Sequence, residues 1–240
     1  LLREEAEMAA KGLYDGGART GRRRLEAGCD LSAQTRVWAD DCGARTGAGA
    51  TGQATSLIPE VKTLYEALRH GAKQGDASRE CLGFRKEGKE WSWLSWEEVL
   101  NRVQAIAHGL PGARGGEGEA FPHVGIFSEQ SLEATLIDQA TCVHSRVSVH
   151  LYPDWSNETL AYAINKVGLK IVCCDTNDRL ARLVALRSQC PGLSALVVME
   201  QEIRDDVATV EGLKYSTLEQ VEEVGDNPPH WHTAPKPTDL

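Results

Sequence analysis

Ile171-Val172-Cys173-Cys174 and Leu196-Val197-Val198-Met199 are short runs without a polar residue. Neighbours on a strand point to opposite sides, so a strand apolar at every position needs cover on both faces. That is the condition of a parallel sheet between layers of helices. Val124-Gly125-Ile126-Phe127 and the alternating Val147, Val149 and Leu151 keep the same rhythm upstream. The runs begin at residues 124, 147, 171 and 196, far enough apart for a crossover helix between parallel neighbours. Helical stripes fill the intervals: Leu132, Leu136, Ala140 and Val143; then Leu160, Ala163, Ile164 and Val167, stopped by Gly168; then Leu180, Leu183 and Val184. The fold class is α/β, a layered, mostly parallel sheet flanked by helices, with right-handed crossovers expected.

Outward from this region the signals are more local. Thr63 with Glu66 forms a capping-box pattern; Leu64, Ala67 and Leu68 give an apolar side, and Gly71 is the expected stop. Cys81 to Arg85 and Glu90 to Trp93 read as two strands around the polar turn Lys86-Glu87-Gly88-Lys89. Ser95 with Glu98 caps a second helix striped by Val99, Val103, Ile106, Ala107 and Leu110 and ended by Pro111-Gly112. Beyond Met199 the pattern loosens: Ser216 with Glu219 is the expected cap of a short helix through Val224, and a Pro-rich tail follows. Residues 1–58 are rich in Ala, Gly, Arg and Thr, poor in large apolar side chains, and read as a disordered leader. Arg22-Arg23-Arg24 raises an organelle-targeting role, against which the early acidic residues count; mistranslated upstream sequence is the other reading.

Composition bounds the function. A net charge of −9 argues against a nucleic-acid partner. Seven cysteines, with no secretory signal, suit reduced thiols inside the cell. No apolar stretch approaches the ~20 residues that span a bilayer.

The candidate motifs carry little chemistry. Gly47-Ala48-Gly49-Ala50-Thr51-Gly52 has dinucleotide-site spacing, but the polar residues before it are not strand-like, and no Walker-type loop exists. Cys173 and Cys174 fall on opposite faces of one strand and cannot readily chelate one metal. His230-Trp231-His232 lacks further ligands nearby and reads as a solvated loop. Trp91 and Trp93 share a strand face with Trp96 close behind, and a small satellite core is expected over a lipid or ligand platform. Ser128 follows a strand without the nucleophile-elbow glycines. No catalytic, cofactor-binding or metal-binding residue is assigned.

Several segments, taken together in their order, resemble the N-terminal portion of long-chain fatty-acid–CoA ligases of the AMP-binding, adenylate-forming superfamily. They are Thr63-Leu64-Tyr65-Glu66, Cys81 to Arg85, Trp93-Leu94-Ser95-Trp96 with Glu98-Val99, Gly125 to Ser128, Val149 to Tyr152, Cys174-Asp175 and Pro235-Lys236-Pro237-Thr238-Asp239-Leu240. Two segments depart from the family. Glu129-Gln130-Ser131-Leu132-Glu133 stands where Asn-Arg-Pro-Glu-Trp is usual, and His150 to Ser156 replaces Pro-Leu-Tyr-Asp-Thr-Leu-Gly. The resemblance implies a leader over 1–58 and the N-terminal portion of an AMP-binding domain over 59–240. The Ser/Thr/Gly-rich phosphate loop would start just beyond Leu240, and both ends of the chain read as fragment boundaries. For the whole protein it implies ATP, Mg²⁺ and coenzyme A as cofactors and a fatty acid as substrate. It also implies an intracellular location, in the cytoplasm or on the cytoplasmic face of the endoplasmic reticulum or another organelle. For this chain alone it implies no activity and an exposed surface open to a protein partner. Two alternatives stay open: a non-catalytic interaction module, and part of a ligase for another carboxylic acid.

Overall fold

The computed structural model describes residues 61–85, 89–112, 123–207, 209–226 and 235–236. The leader expected over 1–58 lies outside them. Helix α1 (Leu64–Lys73) leads into an antiparallel hairpin of β1 (Glu80–Phe84) and β2 (Ser92–Ser95), followed by α2 (Trp96–Gly109). Then come β3 (His123–Phe127), α3 (Leu132–Thr141) with a 3-10 turn, β4 (Val147–Leu151) and α4 (Asn157–Val167). The chain continues through β5 (Ile171–Cys174), α5 (Asn177–Ala185), β6 (Ala195–Val198), β7 (Lys214–Thr217) and α6 (Leu218–Gly225).

Strands β3 to β7 form one parallel sheet in the order β4-β3-β5-β6-β7. Its two faces sort the apolar positions into two cores. Val124, Ile126, Ile171, Cys173 and Val197 pack with α1, α2, α3 and α6 through residues such as Val103, Ile106, Leu136 and Val221. Phe127, Val172, Cys174, Leu196 and Val198 pack on the other side with Leu160 and Ile164 of α4 and Leu180 and Leu183 of α5. Cys173 and Cys174 therefore serve opposite cores, as the strand period requires. Burial holds the Cys173 thiol protonated, its pKa pushed up to about 12.

Three local expectations are corrected. Helix α1 runs past Gly71 to Lys73, and Gly71 is instead the seat of the Trp96 ring, where a Cβ would collide. Leu64 is 69 % exposed, and Tyr65 supplies the buried contact of that helix. At the other end the cap of α6 is Thr217 with Gln220, not Ser216, since Ser216 is still extended within β7, a strand too polar to stand out in the sequence. The caps at Thr63 and Ser95 form as full capping boxes, and Gly168 ends α4 at φ 73°. There the left-handed conformation costs glycine nothing.

Candidate functional site

The sheet order has a switch point. From β3 the chain crosses to β4 on one side and then returns past β3 to β5 on the other. In open α/β sheets the crevice outside the carboxyl ends of the strands at such a point is where ligands bind. Here the loops after β3, β4, β5 and β6 meet the first turns of α5.

Helix α5 starts on Thr176, whose hydroxyl accepts from Arg179 N at 3.3 Å. Arg179 and Arg182, one turn apart, project from the same face. Arg179 Nη1 donates to Asp175, and its Nη2 donates to Glu129 Oε1 at 2.9 Å. Asp175 Oδ2 in turn accepts from the backbone N–H of Glu129 at 2.8 Å. Burial works against the Arg179 cation, but the hydrogen bonds and charges of Asp175 and Glu129 outweigh it and raise its pKa. Arg182 grips the loop after β4: Nη1 donates to Pro153 O at 2.9 Å, Nη2 to Trp155 O, and Nε to Asn157 Oδ1 at 2.6 Å. Both guanidinium groups lie over the buried Phe127 ring, at 5.8 and 5.5 Å from its centroid. Buried Asn177 does the same for the loop after β6: its Nδ2 donates to Glu202 O at 2.8 Å and to Glu200, and its Oδ1 accepts from Arg204 N at 3.0 Å.

This edge is a brace. Two of its cations are paired with carboxylates, Arg179 with Asp175 and Glu129 and Arg204 with Asp178 and Asp206, while Arg182 is held by the carbonyls of Pro153 and Trp155 and by Asn157. The carboxylates crowd the N-terminus of α5, where a phosphate would otherwise bind. The donor set does not fit a nucleotide triphosphate, and among the described residues no three His, Cys, Asp or Glu side chains converge on a metal position. A shallow hollow lies at the opposite, amino edge, lined by residues that include Val184, Arg187, Ser188, Pro191 and Val210. The glycine motif at 47–52 and His230-Trp231-His232 lie outside the described residues.

The structure also moves the tryptophans. Trp96 packs against Gly71 under the guanidinium of Arg79. Trp91 and Trp93 are 60 % and 50 % exposed, so they form no satellite core. The two divergent segments, 129–133 and 150–156, include the loop residues that α5 holds, Glu129 and Pro153 with Trp155. The clamp itself is legible only faintly, as Asp175 and Arg179 four residues apart.

The sequence model of the family described as AMP-binding enzyme matches residues 68–240. The chain belongs to the AMP-binding enzyme family. Among relatives, the chain is similar to long-chain-fatty-acid–CoA ligase 5 of Mus musculus, 29 % identical over 204 residues, covering 82 % of this chain and 30 % of the relative. Long-chain-fatty-acid–CoA ligase 1 of Homo sapiens is 28 % identical over 227 residues, 92 % of this chain and 32 % of the relative. The chain thus spans about a third of the length of these ligases. Among solved structures, the adenylation domain of a carboxylate reductase from Mycobacterium chelonae superposes with a TM-score of 0.59 at 20 % identity, covering 76 % of this chain and 31 % of that one. A putative long-chain-fatty-acid CoA ligase from Rhodopseudomonas palustris gives 0.54 at 16 % identity, covering 72 % and 38 %. At those identities the likeness is one of fold, and it places the chain with the adenylation domains in architecture.

Proposed function

We propose that residues 59–240 are the N-terminal portion of the AMP-binding domain of a long-chain fatty-acid–CoA ligase. The whole protein would join a fatty acid to coenzyme A, with ATP cleaved to AMP and pyrophosphate. The observation that carries this reading is the family match from 68 to 240, together with two named relatives that are both long-chain fatty-acid–CoA ligases. Within such an enzyme these residues act as scaffold. The sheet fixes the switch point, and α5 braces the loops around it, leaving ATP, Mg²⁺ and coenzyme A to residues outside the described set. Phosphate-binding donors and the cation that stabilise transition-state charge are what such chemistry demands, and at this edge the guanidinium groups are already engaged in holding the loops.

The reading predicts that purified residues 1–240 make no acyl-CoA from a long-chain fatty acid, ATP and coenzyme A. A product that continues past Leu240, if the source transcript encodes one, is expected to make it. Thioester formation by residues 1–240 alone would overturn the scaffold role. A longer product that adenylates only another class of carboxylic acid would overturn the substrate assignment. No observation favours a stand-alone interaction module.

A further inference from the structure

The hairpin of β1 and β2 stands apart from the five-stranded sheet, and its two faces differ. Leu82 and Leu94 turn inward against the first core. On the outer face the register sets Gly83 opposite Trp93; continued one step, it sets Arg85 opposite Trp91. Gly83, Arg85, Trp91 and Trp93 are all exposed, as is Lys89 beside the turn. The two indoles stand 6.4 Å apart between ring centroids, and the Arg85 guanidinium lies 5.5 Å over the Trp91 ring. Trp93 can lie flat on the strand because residue 83 is glycine: a Cβ there would meet its Cη2 at 2.8 Å. Among the described residues of the hairpin the carboxylates are Glu80 and Glu90, at the far end of β1 and at the alternate position beside Trp91.

We propose that this outer face is a contact surface for an anionic phospholipid bilayer, with Trp91 and Trp93 at the headgroup level and Arg85 and Lys89 on the phosphates. Two arguments choose a lipid surface. An indole has an apolar body and one N–H donor, which suits the membrane–water boundary, and basic neighbours on the same face match anionic headgroups. The size of the patch is the second. Two half-exposed indoles offer roughly 200–300 Å², against about 800 Å² per partner in a stable protein interface. Interfacial insertion needs only a few such side chains when charge assists it. The inference goes beyond the ligase reading and does not depend on it.

The test is vesicle flotation of the 240-residue chain with phosphatidylcholine vesicles, with and without about 30 % phosphatidylserine. Tryptophan quenching by brominated lipid and sedimentation without lipid accompany it. Binding is expected only to the anionic vesicles, with quenching. The double variant Trp91→Ser/Trp93→Ser should partition about tenfold more weakly, and Arg85→Glu should lose most of the dependence on phosphatidylserine. Trp91→Ser alone, which disturbs no core contact, should give part of the loss with an unchanged circular dichroism spectrum. Absence of binding by the parent chain overturns the proposal, as does undiminished binding by the Trp91→Ser and double variants. Self-association without lipid that the double variant abolishes, with no vesicle binding, assigns the face to a second copy and also overturns it.

Discussion

Gly109 and Gly225 sit where α2 crosses α6, and the two backbones touch. A Cβ on Gly225 would fall inside the carbonyl of Ala105, and one on Gly109 inside the carbonyl of Val221. Neither obstacle is the tip of a flexible side chain, so the helices must separate to admit a methyl group. Gly225→Ala is therefore expected to cost about 2–3 kcal/mol, the upper part of the roughly 1–3 kcal/mol usual for overpacking a fitted contact, despite the better helix propensity of alanine. A urea melt that leaves the midpoint unchanged would contradict the close crossing. Cys173 gives a second expectation, in alkali. An unfolded thiol titrates near 9.0, while the buried one holds its proton to about 12. Above pH 9 the unfolded state loses a proton that the native state keeps, so the contribution of Cys173 is whole below pH 9 and shrinks as pH rises. The loss approaches about 1.4 kcal/mol per pH unit for one such thiol. Arg146 acts in the opposite sense from about pH 10 upward, where burial brings its folded-state titration. The clean window is thus pH 9 to 10, where the stability of Cys173→Ala should fall less steeply than that of the parent.

At the scale of the element, the cap of α6 separates two readings of one stretch. Thr217 Oγ1 accepts from Gln220 N at 3.2 Å, and Gln220 Oε1 accepts from Thr217 N at 3.0 Å. Thr217→Ala should cost about 1 kcal/mol, the usual loss for an N-cap hydroxyl, and Ser216→Ala within about 0.5 kcal/mol of nothing. Equal effects from the two variants would place the helix start where the sequence pattern suggested. Such elements show which features are legible. Strands β5 and β6 are apolar on both faces because both faces are covered, and the helices between them carry clear stripes. Strand β7, of Lys214, Tyr215, Ser216 and Thr217, has one neighbour among the described residues and buries only Thr217, so its pattern is weak. Gly71 reads as a stop and acts as a seat for Trp96, a packing role that no local pattern encodes. The brace was harder still. Arg182 binds backbone carbonyls at Pro153 and Trp155, and carbonyls leave no mark in a sequence.

The described residues from 61 onward are layered around β3, β5 and β6, each paired on both sides and covered on both faces. Strands β4 and β7 have one described neighbour each, and the β1–β2 hairpin has one face open to water. Opening β5 would strip apolar side chains from two cores at once, whereas opening the hairpin uncovers only Leu82, Leu94 and their immediate contacts. Amide exchange should follow that asymmetry, since local opening costs less where fewer buried contacts are lost. The amides of Ile126, Val172 and Val197 are expected to exchange only through global unfolding. They should slow or quicken in step with stability when Gly225→Ala weakens the fold. Those of the hairpin should exchange by local opening, with rates that the same variant leaves nearly unchanged. Hydrogen-exchange mass spectrometry on peptides from β1–β2 and from β5 measures both. Equal protection of the two, falling together in the variant, would mean that the hairpin belongs to the same cooperative unit as the sheet. The bilayer-facing surface would then be as rigidly held as the core, and not a separately mobile arm.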